Sequence, residues 1–353
     1  MKTTTIFAIA LVIALYGSAL SADETVRWQA RSGHKVVMFQ EELFLTGGLY
    51  AFEKSFLFND IWTSDDGAVW SPIETEQPYT PSRHLHASLV FLDHIWVMGG
   101  QGSGFLNDVW RSPTGQTWEL VTGEAPWAAR RGMASVVHNN RMFILGGEGS
   151  DGGYYNDVWV TEDGITWELL TSDAAWDPRR EHEAVSLENA IFILGGTAKS
   201  GKYDEVWRSA DGINWQKIAS LPIAVRGHCA EVFKDKIFVF GGVDDEDKLS
   251  NEVWSSSDGV IWSVVEENAL WAGRTRHDSV VFNKRLWLLG GTTEEGDSSE
   301  IWFSKDGKDW KSITDSSQCG CFSSKSDMKS QRYFLGDILL LGISLLLLFR
   351  FKR

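Results

Sequence analysis

The sequence predicts an all-β protein of six repeated, four-stranded units, and three observations predict it. Gly-Gly pairs close apolar runs at Gly47-Gly48, Gly99-Gly100, Gly146-Gly147, Gly195-Gly196, Gly241-Gly242 and Gly290-Gly291, recurring every 46 to 52 residues. A Trp recurs at Trp62, Trp110, Trp159, Trp207, Trp254 and Trp302, at spacings of 47 to 49. Eight residues after each stands another, at Trp70, Trp118, Trp167, Trp215, Trp262 and Trp310. Twelve of the 18 Trp thus fill two repeated positions, so Trp is an architectural residue here.

Each unit reads as four short strands. The first is half-buried, as in Ala87-Ser88-Leu89-Val90-Phe91, and the second is continuously apolar, as in Met142-Phe143-Ile144-Leu145. An apolar run of four that stops at glycine marks a strand covered on both faces. The third carries Asn-Asp-Val-Trp or a variant ending in Trp, as at Asn107–Trp110 and Asn156–Trp159. A hairpin follows with Asp-Gly at its tip, at Asp66-Gly67, Asp163-Gly164, Asp211-Gly212, Asp258-Gly259 and Asp306-Gly307; the second unit has Thr114-Gly115 instead. Asp-Gly suits a tight turn whose central residues need positive φ. The fourth strand begins at the second Trp.

Four strands in about 48 residues, with a glycine pair and a repeated Trp, fit the period of propeller repeats. The apolar run ending in Gly-Gly and the later Trp resemble the kelch repeat in all six units, from about Arg31 to Ile313. The resemblance implies a six-bladed β-propeller, four antiparallel strands per blade, around a central channel. It also implies that the repeated Trp residues sit between blades. The blades are expected at about 31–73, 83–121, 130–169, 179–218, 226–265 and 274–313, within a propeller domain of residues 22–316. The first unit starts in phase and the last ends with its fourth strand. No blade is therefore shared between the ends, and closure rests on blade one meeting blade six, unless Glu24–Gln29 adds a strand.

Binding sites of such folds lie at the channel mouths, so polar residues at repeated positions are the candidates. Thirteen residues before each Gly-Gly stands His34, His86, Met133, His182, His228 or His277. Just upstream cluster Arg31, Arg83, Arg130, Arg131, Arg179, Arg180, Arg226, Arg274 and Arg276. Two roles are open to them. They bond backbone carbonyls and acidic residues such as Asp60 or Asp108 at the blade joints, or they form a basic mouth that takes a carboxylate or sulfate bidentately. Trp28, Trp127, Trp176 and Trp271 stand six residues before the His or Met position, in interblade loops. As exposed aromatics they suit stacking on a sugar or a protein hot spot; the alternative is packing beneath the loop.

Catalytic signals are weak. Galactose oxidase, similar in its kelch domain, needs tyrosines, a cysteine cross-link and copper-binding histidines, whereas this chain has seven Tyr and only Cys229 within the repeats, where it reads as a core residue. Sialic-acid mutarotase, an exported six-bladed kelch protein, is the closer enzyme comparison, with Glu181 and Glu183 beside His182 as candidates for acid/base work. Alternation along a strand, however, puts both Glu opposite the His. The Ser-x-Asp-Gly-x-x-Trp hairpin resembles a sialidase Asp-box but lacks one residue of it, and reads as a structural turn. No metal or cofactor is expected: Asp244-Asp245-Glu246-Asp247 lacks calcium-ligand spacing. A binding module for an extracellular protein or glycan, acidic ones included, is the reading favoured, with a carbohydrate-active isomerase as alternative.

The ends read differently from the middle. Lys2, the apolar run Ile6–Tyr16 and Ala19-Leu20-Ser21 predict a signal peptide over residues 1–21. Residues 317–333 form a linker containing Cys319-Gly320-Cys321, residues 334–349 are almost wholly apolar, and 350–353 are basic. Sixteen residues make a short but workable membrane span, with the basic end cytoplasmic and the propeller outside. The same tail resembles myxosortase-type sorting signals, in which case it is cut near the cysteines and Cys319 or Cys321 carries lipid. Residues 23–321 hold 26 Lys/Arg against 46 Asp/Glu, a field that repels nucleic acid.

Overall fold

A computed structural model describes residues 27–51, 55–75 and 81–313. The segments expected as a signal peptide, linker with Cys319-Gly320-Cys321, apolar segment 334–349 and basic end all lie outside these residues. Among the described residues there is no helix long and apolar enough to cross a membrane.

The fold is all-β, a six-bladed propeller of antiparallel sheets. The innermost strands are Lys35–Phe39, Ala87–Phe91, Ala134–His138, Glu183–Leu187, Cys229–Phe233 and Asp278–Phe282. Next come the apolar strands Glu42–Thr46, His94–Gln101, Arg141–Gly149, Ala190–Leu194, Lys236–Phe240 and Arg285–Leu289. The third strands carry the first Trp, and the outermost start at or just after the second, as in Glu168–Thr171 and Trp310–Ser312. Blade three has an extra two-residue strand, Arg130–Arg131, paired with Gly149 and Glu148.

The core lies in the joints between blades. One cluster joins Val136, Leu145 and Val158 of blade three to Ile191, Ile193 and Trp215 of blade four. Another joins Leu43, Leu45 and Trp70 of blade one to Phe282, Trp287 and Leu289 of blade six, which closes the circle. Arg27–Gln29 forms no strand, and both end blades complete their own four.

The hairpin and Gly-Gly motifs now have physical causes. In Asp163-Gly164, the Asp163 carboxylate accepts the N–H groups of Ile165 and Thr166, both at 2.7 Å, and Trp167 stands at the turn's end. The tip glycines press on a second-strand aromatic of the preceding blade: Gly164 lies on Trp96, and Gly67, in blade one, on Trp287 of blade six. The first glycine of each Gly-Gly pair gives room to the next blade. A Cβ at Gly146 would stand 3.0 Å from both the Arg179 carbonyl and His182 Cε1, and its φ of +59° already disfavours a side chain.

Candidate binding site at one channel mouth

Five of the nine arginines are joint residues. Arg31, Arg83, Arg130, Arg179 and Arg274 are at most 1% exposed. Each reaches its own blade's Gly-Gly carbonyl and third-strand acid. Arg130, for example, donates to Gly146 O at 2.9 Å and bidentately to Asp157 at 2.6 and 2.8 Å. The same carboxylate accepts Trp159 Nε1 at 2.8 Å, which explains why an acid stands two residues before each first Trp. Blade five departs, with Val225 at the arginine position and Glu252 left bonding Trp254 alone.

The histidines are also in the joints. His34, His86, His182, His228 and His277 are all buried. All five place Cε1 against the first glycine of the preceding blade's pair, and His86 also meets Thr46 Oγ1 at 3.1 Å. Burial lowers the pKa of all five, His182 and His228 to about 3, so each imidazole is neutral.

The loop tryptophans are not exposed. Trp28, Trp127, Trp176 and Trp271 are each 1% exposed and meet the second Trp of the blade that follows edge-on, with centroids 6.4, 6.2, 6.2 and 6.0 Å apart. Trp118 and Trp262, in the blades lacking a loop Trp, are only partly buried. Packing beneath the loop is therefore the role of these four, and stacking on a ligand is not.

The remaining arginines meet at the mouth. Two positions after the joint arginine come Gly33, Leu85, Gly132, Glu181, Gly227 and Arg276 in blades one to six, all at φ between 51° and 62°. Their peptides form a closed ring around the axis. Leu85 N donates to Gly33 O, Gly132 N to Leu85 O, Glu181 N to Gly132 O, Gly227 N to Glu181 O, Arg276 N to Gly227 O and Gly33 N to Arg276 O, at 2.8 to 3.0 Å. Glycine fits this left-handed conformation without cost. Leu85, Glu181 and Arg276 hold it at roughly 1 kcal/mol or more each.

Glu181 sits on this ring, buried, with three guanidinium groups around it. Arg276 approaches its carboxylate at 2.9 Å, Arg226 at 3.0 Å and Arg180 at 3.2 Å. Burial alone would raise its pKa, but the three cations prevail and hold it near 2. Arg180 and Arg131 share Glu148, at 3.0 and 2.8 Å, and Arg131 also donates to Gln101. Burial lowers the neighbouring His84 to about 4, leaving it neutral. The mouth thus gathers four arginines, 17 to 29% exposed, that ion-pair with two carboxylates, while Asp297 and Asp247 act on Arg276 and Arg226 through space.

The sequence placed Arg131, Arg180, Arg226 and Arg276 in the right region but set them beside five arginines that serve the joints. Their carboxylate partners, Glu181 and Glu148, went unrecognised as such; the available signal was a charged residue where three blades have glycine. Glu183, by contrast, faces the channel lumen.

Residues 131–257, in blades three to five, match a family model described as the DUF6242 beta propeller domain. The stretch is similar to that domain and contains Arg131, Arg180, Arg226, Glu148 and Glu181. No curated protein matches the chain. A propeller domain points to a binding or scaffold module, and the mouth is where this one concentrates unevenly repeated charge.

Proposed function

We propose that this chain is a kelch-type binding module, exported and displayed on the cell surface, that takes an acidic group of an extracellular protein or glycan at the mouth bearing Arg131, Arg180, Arg226 and Arg276. The observation that carries the reading is the imbalance of four guanidinium groups over the two carboxylates they pair with, on a ring that retains backbone strain at Glu181 and Arg276. Among the described residues Arg226 makes one side-chain hydrogen bond, to Glu181, and its remaining guanidinium N–H groups are available to a ligand. A planar donor fork on a partly buried arginine suits carboxylate or sulfate, and burial strengthens the contact relative to water.

Export and tethering rest on the sequence of the two ends. The overall acidic field turns anionic partners away elsewhere and makes the mouth the exception.

The test is an array of sulfated, sialylated and neutral glycans, with products analysed for each hit. The double variant Arg131→Glu/Arg226→Glu should lose acidic hits at least tenfold, with binding falling as salt rises. Neutral hits only, or acidic hits that both substitutions leave intact, would remove the mouth from the reading. Chemical conversion of a bound glycan would move the protein to the enzyme class.

A further inference from the structure

On the inner side of the peptide ring, the six blades depart from symmetry a second time. Charged residues sit on four of them: Lys35 on blade one, Glu183 on four, Glu231 on five and Asp278 on six. Blades two and three offer Ser88, Ala134 and Ser135. A cavity of about 410 Å³, lined chiefly by the innermost strands of blades three to six, occupies the lumen and lies within the range of small-ligand sites. Towards the ring it narrows to a void of about 50 Å³.

The charges in the lumen do not balance. Lys35 Nζ lies 2.9 Å from Asp278 Oδ1, and Asp278 Oδ2 accepts Val36 N–H at 2.5 Å, so this acid is satisfied. Among the described residues the Glu231 carboxyl accepts only the Ser279 hydroxyl, at 2.9 Å, and the Glu183 carboxyl makes no hydrogen bond or salt bridge. Burial, reinforced by the Asp278 charge and only partly offset by Lys35, raises Glu183 to about 7 and Glu231 to about 8. No set of three His, Cys, Asp or Glu among the described residues is placed to hold a metal ion. What fits is a cation that brings its own N–H donors.

We infer that the lumen is a binding site for a small protonated amine, held by Glu183 and Glu231 in the cavity that both line. The site is separate from the mouth, lies across the peptide ring from it and takes the opposite charge, so either can fail without the other. Binding draws both carboxyls into their ionised forms and releases protons.

The test is calorimetric titration of the full chain with ethanolammonium chloride at pH 7, in two buffers of different ionisation heat, with glycerol and acetate as controls. The amine should bind with net proton release and raise the melting temperature. Glu183→Gln should weaken binding about tenfold or more, and Ser135→Leu, which puts a large side chain into the cavity that Ser135 lines, should abolish it even if the first variant does not fold. The inference is overturned if the amine fails to bind, if both variants bind it as the parent does, or if acetate binds in preference.

Discussion

Glu181 Oε1 accepts a hydrogen bond from Arg276 Nη2 at 2.9 Å, which ties blade four to blade six across the mouth. Because the pKa of this acid is held near 2, below its ordinary 4.5, its interactions favour the folded state above pH 4.5 and lose that contribution as pH falls through 2. Glu181→Gln should therefore destabilise by about 1–3 kcal/mol at pH 7 and by much less at pH 2. Urea unfolding of parent and variant at both values checks this.

Arg130 and Arg131 are adjacent in sequence and opposite in role. Arg130→Ala strands the Asp157 carboxylate and the Gly146 carbonyl in a joint, and should cost about 3–5 kcal/mol. Arg131→Ala, at the partly exposed mouth, should cost at most about 1 kcal/mol while weakening any acidic ligand. Paired denaturation and binding measurements separate the two. Equal losses of stability would remove the distinction between joint and mouth.

Acid should loosen the ring of blades. The five buried histidines are neutral when folded, but in the unfolded chain they take up protons below about pH 6.5. Folding stability should thus fall as pH drops from 6.5 towards 3, each imidazole adding a slope of about 1.4 kcal/mol per pH unit. Glu183 and Glu231 act in the opposite sense. Their raised pKa values mean that the folded form binds the extra protons between pH 4.5 and about 8, so their contribution is lost as pH rises through that window. Melting temperatures measured from pH 4 to 9 should peak near neutrality and fall on both sides, more steeply on the acid side.

The hairpin glycines offer a test of blade contact. Gly164 lies against the outer edge of the Trp96 ring of the preceding blade at φ +74°. Gly164→Ala meets both a disfavoured conformation and an occupied space, and should lower stability by about 1–3 kcal/mol. Gly152, also at positive φ but with nothing near its Cβ, is the control and should cost about 1 kcal/mol when changed to Ala. Thermal unfolding of the two variants measures the difference.

Blade number and strand order were legible because they depend on local features that recur: an apolar run, a glycine pair and two Trp at a fixed interval. The site was legible only as a region. Arg130 and Arg131 are chemically alike, and what separates them is strand alternation near a turn, which sends one into the joint and the other to the mouth. The convergence of Arg180, Arg226 and Arg276 on Glu181 joins residues up to 95 apart in sequence and depends on how the ring closes. The lumen was missed for the same reason, since Lys35 and Asp278 are neighbours only because blade one meets blade six.

Trp176 shows where local reading misled, and supplies the last prediction. A Trp in an interblade loop suits ligand stacking by composition, yet this one lies at 1% exposure with Trp215 at 6.2 Å and an interplanar angle of 86°. Trp176→Ala should empty a large volume beneath the loop and cost about 3–5 kcal/mol. Trp215 fluorescence should shift to the red as water reaches its ring. Binding of an acidic ligand at the mouth should survive in the folded fraction, because Trp176 belongs to the joint. A variant as stable as the parent that had lost its ligand would return these tryptophans to the binding surface.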